Sequence, residues 1–199
     1  MRILIVKMSS MGDIVHAQPL ATDLRRAYPD ARIDWVAEKP FVGICALNRA
    51  IDEVIPIAWR RWRKRLLAAE NLAEMGDFRR RLREDRYDLV VDCQGLVKSA
   101  VVARMAPALS RVGPAWAFAR EPLASLAYDR KAVVPRDWHV VRRNRAVGAA
   151  VGGYRIDDPP DFGLEAVPLA HTEAPWLPAE RYALLGRAAT RSSGPRRTG

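Results

Sequence analysis

The sequence has 199 residues, of which 49% are hydrophobic and 28% are charged, a composition that supports a buried core and excludes wholesale disorder. Its 33 Lys and Arg residues outnumber its 23 Asp and Glu residues, and the net charge of +10 favours anionic partners such as nucleic acid, anionic lipid or a phosphorylated substrate. We expect no signal peptide and no membrane span, because Met1-Arg2 leads straight into a short strand and no run of about 18 apolar residues exists.

The first predicted element is a buried parallel strand over residues 2–7, which read RILIVK and contain no Gly or Pro. A small polar loop follows and ends in Gly12-Asp13, which places Asp13 at or near the N-cap of a helix. That helix is predicted to run to about Tyr28, with a kink or a break at Pro19 because proline removes a helical donor.

Strands and helices continue to alternate along the chain. The further predicted strands cover residues 32–37, 52–57, 87–92 and 111–113, and the further predicted helices cover residues 41–47, 66–85, 96–105 and 139–151. Pro56 indicates a strand end or a sheet edge, and residues 114–137 show no regular pattern. The alternation predicts an α/β fold, a Rossmann-like parallel sheet with helices on both faces.

The last part of the chain has a different composition. Residues 157–181 are rich in Pro, Asp and Glu and are predicted to form a linker. Residues 182–185 resemble the start of a new strand, whereas residues 186–199 contain no large apolar side chain and are predicted to be disordered.

Four separated segments, in this order, resemble the lipopolysaccharide heptosyltransferases. They are KMSSMGDIVHAQP at 7–19, AWRRWRK at 58–64, DCQGLVKSA at 92–100 and AREPLASLAYDRK at 119–131. The resemblance covers residues 1 to about 185 and implies the N-terminal half of a GT-B glycosyltransferase of family 9. Residues 1–156 would be its Rossmann-like, acceptor-binding domain, and residues 182–199 a truncated start of the C-terminal domain.

The resemblance also implies a reaction. These enzymes move heptose, with inversion, from ADP-L-glycero-D-manno-heptose to a 3-deoxy-octulosonic acid (Kdo) residue of Kdo-lipid A in lipopolysaccharide inner-core biosynthesis. The second and fourth segments favour the members that add the first heptose. The implied location is peripheral, on the cytoplasmic face of the inner membrane. Because the ADP-heptose site lies mostly in the family's C-terminal half, we expect this chain to be inactive alone. The resemblance makes the chain look truncated, and a genuine product, a designed truncation and a shifted reading frame near codon 186 all stay open.

Asp13 is the candidate catalytic residue. An acceptor hydroxyl that attacks the anomeric carbon needs a base to take its proton, and a single displacement needs only one such carboxylate. Ser9, Ser10 and the backbone amides of 10–13 are candidates to bind an acceptor carboxylate or a donor phosphate. The competing interpretation is that Asp13 only caps its helix.

The resemblance assigns acceptor binding to the basic run Arg60, Arg61, Arg63 and Lys64. Guanidinium groups bind phosphates and carboxylates bidentately, and Kdo-lipid A carries both. The flanking Trp59 and Trp62 would lie in a membrane interface or pack under the arginines. The competing interpretation is a solvated basic helix face.

Gln94 and Lys98 follow the strand over 87–92, and the carboxyl ends of parallel strands share one crevice, so both are acceptor-binding candidates together with Arg120. For Asp92 and Glu121, a structural ion pair is as good an interpretation as any role in the site. Neither the histidines nor Cys45 and Cys93 have metal-ligand spacing, so we expect no metal and no cofactor.

Three alternatives stay open at this point. One is a heptosyltransferase II-type enzyme that acts one step later in the core. Another is a nucleic-acid-binding module, which only the charge suggests, so no nucleic-acid partner is predicted. The last is a non-catalytic fragment that binds the acceptor.

Overall fold

A computed structural model describes residues 1–65, 68–151 and 153–164. They belong to the first of two compact units, which spans Met1–Ala166. The predictions for the linker beyond residue 164, for the strand at 182–185 and for the disordered tail lie outside the described residues.

One sheet organises the described part of the chain. Its six strands are all parallel and lie in the order β3-β2-β1-β4-β5-β6. The strands are β1 (Arg2–Val6), β2 (Arg32–Glu38), β3 (Glu53–Ile57), β4 (Tyr87–Asp92), β5 (Ala108–Pro114) and β6 (Arg130–Ala132). The helices are α1 (Met11–Val15), α2 (Gln18–Ala27), α3 (Val42–Ala46), α4 (Trp59–Trp62), α5 (Ala69–Arg83), α6 (Val97–Met105) and α7 (Val140–Ala149), with 3-10 helices at Lys39–Phe41 and Pro122–Ala127. The predicted Rossmann-like α/β fold is confirmed.

The central strand β1 feeds two hydrophobic cores, because successive side chains of a strand point to opposite faces of the sheet. Ile3 and Ile5 pack on the side covered by α1, α2, α3 and α7. Leu4 and Val6 pack on the side covered by α4, α5 and α6. The run of apolar residues in β1 therefore reflects burial on both faces.

Two prolines lie where the sequence analysis expected a helix break and a strand end or sheet edge. The first predicted helix is split in two: α1 ends at Val15, and α2 begins at Gln18. Pro19 lies in the first turn of α2, where backbone amides have no acceptor within the helix, so its lack of an N–H costs no hydrogen bond. Pro56 lies in β3, which is an edge strand, as predicted.

The prediction that residues 114–137 are irregular is wrong. The segment contains the 3-10 helix Pro122–Ala127 and the three-residue strand β6, which pairs with β5. A strand this short has no periodicity to detect, and its pairing comes from tertiary structure. The Tyr128 ring packs directly over Gly113 of β5, and a Cβ atom at that position would overlap it.

Residues 157–164, the start of the predicted linker, are tied to the sheet's helices. The Arg145 guanidinium binds both carboxylate oxygens of buried Asp23, at 2.6 and 3.0 Å, and donates to the Asp158 carbonyl at 2.7 Å. Asn48 Nδ2 donates to the Phe162 carbonyl at 3.0 Å. The domain boundary at residue 156 stays a prediction.

Candidate active site at the carboxyl edge of the sheet

Asp13 occupies the third position of α1, and the N-cap is Ser10. Asp13 Oδ2 accepts a hydrogen bond from the Ser10 amide at 3.0 Å and another from Ser10 Oγ at 2.9 Å. The bond from the Ser10 amide to the Asp13 side chain is the one that the third residue of a helix makes in a capping box, so the capping interpretation describes a real interaction. Within the described residues Asp13 Oδ1 accepts no hydrogen bond, which leaves one carboxylate oxygen available for a ligand.

The surroundings of Asp13 keep it ionised. Partial burial raises the pKa of the Asp13 carboxyl, but the two hydrogen bonds from Ser10 and the charges of Lys7 and Arg120 outweigh it and lower the pKa below its ordinary value. At neutral pH the group is therefore a carboxylate that can accept a proton.

Asp13 borders a pocket of about 340 Å³ at the carboxyl ends of β1, β4 and β5. Its wall combines polar and charged side chains with apolar ones: Lys7, Asp13, Cys93, Gln94, Pro114, Phe118, Arg120, Val134, Val140, Arg143, Asn144 and Val147. The structure thus brings together three of the predicted site residues, Asp13, Gln94 and Arg120.

Lys7, which was not predicted as a site residue, lines this pocket beside Cys93. Its side chain is 4% exposed, and its Nζ donates to the Cys93 carbonyl at 3.1 Å. The Lys7 carbonyl in turn accepts from Trp35 Nε1 at 3.0 Å. The Lys7 amino group adds a basic side chain to the pocket wall. In the sequence Lys7 resembled the last residue of a strand, so it was not singled out.

Gln94 presents an amide to the pocket. Its side chain is 3% exposed, and its Oε1 accepts from the Met8 amide at 2.7 Å. Gln94 Nε2 is buried and has no hydrogen-bond partner among the described residues. Because an unpaired buried donor is costly, this amide is suited to a ligand oxygen.

Helix α7 supplies two further residues that were not predicted. The buried Nε of Arg143 has no hydrogen-bond partner in the part of the chain that the structure describes. Asn144 Nδ2 donates to the His16 carbonyl at 3.1 Å, which ties α7 to the end of α1. Both residues lie about 130 positions after the first loop, and only the folded chain brings them to it.

A second polar group lies beside the pocket, between the loops after β1 and β2. Lys98 Nζ donates to Ser9 Oγ at 3.1 Å. Glu38, buried at the end of β2, accepts from the Arg60 amide at 3.2 Å. Burial raises the pKa of Glu38, although the Arg60 hydrogen bond and the charges of Arg60 and Lys98 oppose it. Burial together with the charges of Arg60 and Arg63 lowers the pKa of Lys98, against the attraction of Glu38.

The basic residues on and after the short helix α4 differ in whether they are paired. Arg61 binds Glu74, which also pairs with Lys39; burial raises the pKa of Glu74, but hydrogen bonds from Lys39, Trp62 and Arg61 bring it down to about 2. Arg60, Arg63 and Lys64 are exposed and form no ion pair with the described residues. These three cations are free to bind an anionic ligand, whereas Arg61 is already paired.

Trp62 packs under the arginines and does not face a membrane interface. It is buried, its Nε1 donates to Glu74 Oε2 at 2.6 Å, and its ring meets Phe78 edge to face at 5.7 Å. Trp59 is partly buried against the same core.

Asp92 and Glu121 accept hydrogen bonds that shape the site. Fully buried Asp92 accepts from the Gln94 amide at 2.8 Å and from the Tyr128 hydroxyl at 2.7 Å. Glu121 accepts from the Val97 amide at 2.6 Å and so caps the start of α6. Structural hydrogen bonds thus take the place of the ion pairs considered for them.

Residues 1–65, 68–151 and 153–164 contain no group of three His, Cys, Asp or Glu side chains arranged to hold a metal ion. In the same ranges, no helix combines the length and the apolar character needed to cross a membrane. The His16 and His139 rings meet edge to face at 6.1 Å.

The site combines an ionised carboxylate with several cations at the carboxyl edge of a parallel sheet, which is where ligands bind in open α/β folds. The sequence profile of glycosyltransferase family 9 (heptosyltransferase) matches residues 75–193, and the chain belongs to this family. The resemblance seen in the four segments is confirmed.

Two relatives within this family are similar to most of the chain. Lipopolysaccharide heptosyltransferase 1 of Salmonella typhimurium is 43% identical over 192 residues, which cover 96% of this chain and 60% of the relative. The Escherichia coli K12 protein of the same name is 47% identical over 155 residues, 77% of this chain and 48% of the relative. The chain thus spans about half the length of the curated relatives it matches.

Solved structures agree with the fold. The structure of E. coli heptosyltransferase WaaC with ADP superposes with a TM-score of 0.78 at 44% identity, covering 82% of this chain and 51% of that one. E. coli ADP-heptose lps heptosyltransferase II superposes with a TM-score of 0.64 at 23% identity, over 88% of this chain and 49% of that one. The latter likeness concerns the fold alone.

Proposed function

We propose that this chain is the acceptor-binding, base-carrying half of a heptosyltransferase that moves heptose from ADP-heptose to a Kdo residue of Kdo-lipid A. Family membership and the relatives named lipopolysaccharide heptosyltransferase 1 support this proposal. The donor is supported by the WaaC structures with ADP and with ADP-2-deoxy-2-fluoro heptose. The observation that carries the proposal is the Asp13 carboxylate, which lines the pocket in its ionised form and whose Oδ1 accepts no hydrogen bond from the described residues.

The chemistry assigned to Asp13 is that of a general base. The acceptor hydroxyl oxygen forms a bond to the anomeric carbon as the bond from that carbon to the ADP phosphate oxygen breaks, and the hydroxyl proton moves to Asp13. Ser10 fixes the carboxylate through Oδ2. Because the carboxylate is fixed before the reaction, little reorganisation is needed in the transition state.

The acceptor is anionic, and the cations around the crevice fit it. Arg60, Arg63 and Lys64 are exposed without ion-pair partners among the described residues, and Arg120 lines the pocket. Lys98 and Ser9 are joined at 3.1 Å, so a ligand phosphate or carboxylate meets a preformed donor pair. Ser10 and Gln94 complete the proposed acceptor site. Arg61 retains its predicted role only where an acceptor displaces Glu74.

Because the proposed acceptor is a membrane lipid, the protein would act at the cytoplasmic face of the inner membrane without spanning it. A step later in the core is the second candidate within the family. The relatives at 43% and 47% identity carry the name of the first enzyme, whereas the likeness to heptosyltransferase II is one of fold. The first step is therefore the better supported reaction.

The test replaces one atom of the base. In a chimera that joins this sequence to the C-terminal half of E. coli lipopolysaccharide heptosyltransferase 1, Asp13→Asn should retain acceptor binding and lower kcat by about 10² to 10⁴. Asp30→Asn, an exposed position beyond α2, is the matched control and should leave kcat unchanged. A kcat near the wild-type value in Asp13→Asn would remove Asp13 from the base role. Acceptor binding to the 199-residue chain without the second half is measured separately by titration with Kdo-lipid A.

A further inference from the structure

The fourth sequence motif, residues 119–131, contributes only Arg120 to the pocket, and its other part forms an exposed apolar surface. The 3-10 helix Pro122–Ala127 leaves Leu123 62% exposed and Leu126 67% exposed. Because a 3-10 helix has three residues per turn, these two leucines lie one above the other on a single face. They are the most exposed leucines among the described residues.

Helix α6 extends this surface. Val97 and Val101 are exposed and lie one turn apart on α6. The Val97 amide donates to Glu121, the residue before the 3-10 helix, and Ala100 packs with Ala124 in a shared small core. We name Val97, Val101, Leu123 and Leu126 the apolar strip.

An arginine-lined groove of about 530 Å³ adjoins the apolar strip and shares Val101 with it. Arg79 and Arg83 of α5 and Arg104 of α6 line this groove, together with Met105 and Pro107. Arg79 and Arg83 are exposed and form no ion pair with any described residue. Arg104 reaches Asp129 only at 4.0 Å. Arg111 also lines the groove and is paired with Asp129 at 3.6 Å. The groove therefore presents the guanidinium groups of Arg79 and Arg83, unpaired among the described residues, above an apolar floor.

We propose that the apolar strip and the arginine groove seat the protein on an anionic phospholipid bilayer. Leucine and valine side chains enter the boundary between headgroups and acyl chains, and the arginines bind lipid phosphates. A second copy of this chain is a poorer occupant, because pairing two such surfaces would oppose arginine to arginine on proteins of net charge +10.

The position of the apolar strip suits a lipid acceptor. Lys98, next to Val97 in the first turn of α6, donates to Ser9 of the loop that leads into α1 and Asp13. A bilayer against the strip thus lies beside the rim of the crevice. This inference rests on the proposed function, in which the acceptor is a membrane lipid, but its test uses vesicles without acceptor.

The experiment measures sedimentation of the 199-residue chain with vesicles of phosphatidylglycerol mixed with phosphatidylcholine, and with phosphatidylcholine alone. We expect binding to the anionic vesicles, and at least about a 10-fold loss of partitioning in Leu123→Ser/Leu126→Ser. Arg79→Gln/Arg83→Gln should weaken binding to the anionic vesicles only. Leu47→Ser, an exposed leucine at the end of α3 on the other side of the sheet, is the control and should bind as the wild type does.

A second measurement tests the same surface without the double leucine variant, in case that variant fails to fold. Leu123→Cys, labelled with a polarity-sensitive dye while the buried Cys45 and Cys93 stay unreacted, should brighten on anionic vesicles. Unchanged binding of the leucine variant, equal binding to uncharged vesicles, or a dimer that the leucine variant breaks would each overturn the proposal. None of these results bears on heptose transfer, which the Asp13 variant tests.

Discussion

The Met8 amide donates to Gln94 Oε1 at 2.7 Å, and this hydrogen bond joins the loop after β1 to the loop after β4. Asp92 orients the same glutamine by accepting from its backbone amide at 2.8 Å. The two loops that line the pocket are therefore fixed to each other before any ligand arrives, and Gln94 Nε2 is left for that ligand.

The first prediction concerns this connection. Gln94→Leu leaves the buried Met8 amide unpaired and should lower the free energy of unfolding by about 1–3 kcal/mol, measured by urea titration. Gln94→Glu keeps an oxygen for Met8 and should be less destabilising at neutral pH, yet it should weaken acceptor binding, because a second carboxylate then faces the ligand beside Asp13. If both variants lose the same stability, the Met8 hydrogen bond is not the cause.

The second prediction concerns pH. Ser10→Ala removes the hydroxyl that helps to lower the pKa of Asp13, so that pKa should rise, and the acid limb of the kcat profile should move to higher pH. The lowered pKa of Asp13 also makes the stability of the fold depend on pH. Since the folded-state pKa is lowered, the contribution of Asp13 is complete above its unfolded pKa and is lost as pH falls through the folded one. Carbon-13 titration of the carboxyl measures the shift directly, and Ser10→Thr, which keeps a hydroxyl, should restore the wild-type value.

The third prediction separates the arginines of α4 and its C-terminal end. Arg60→Ala/Arg63→Ala should raise the KM for acceptor, with a difference that shrinks at high salt, and leave the KM for ADP-heptose unchanged. Arg61→Ala should raise the acceptor KM less, because its guanidinium is paired with Glu74. Steady-state kinetics of the chimera at two ionic strengths distinguish these outcomes. If Arg61→Ala raised the KM for acceptor as much as the double variant does, the acceptor would have to displace Glu74 from Arg61.

The fourth prediction tests the packing behind the site. Gly113→Ala places a methyl group into the Tyr128 ring and should lower the free energy of unfolding by about 1–3 kcal/mol. It should also disturb the bond from Tyr128 to Asp92. Gly43→Ala in α3 meets nothing within 4 Å and should be neutral or stabilising by up to about 1 kcal/mol. Thermal denaturation of both variants compares them directly.

The amino-acid sequence predicts the sheet well where burial dictates composition. The apolar runs in β1 and β4 are strands buried on both faces, and Pro19 and Pro56 mark a helix break and a sheet edge through the chemistry of proline itself. β6 escapes prediction because its three residues carry no period and depend on pairing with β5.

The site divides in the same way. Asp13 and Gln94 follow buried strands directly, so local pattern is enough to place them at the crevice. Lys7 resembles the end of a strand, and Arg143 lies on an ordinary helix, so nothing local marks either one. Lys7 reaches its place when β4 pairs with β1 and brings the Cys93 carbonyl to its Nζ. Arg143 reaches its place when α7 folds back and Asn144 binds the His16 carbonyl, 128 positions away.

The place of β1 in the sheet also sets an order of events during synthesis. β1 pairs with β2, which follows it closely, and with β4, where Val6 meets Asp92. Until the ribosome has released Asp92, one side of β1 is an open edge with unpaired amides and carbonyls. The nascent chain therefore carries the loop that leads to Asp13 next to an unfinished strand, and a chaperone that shields that edge would protect the candidate site as well.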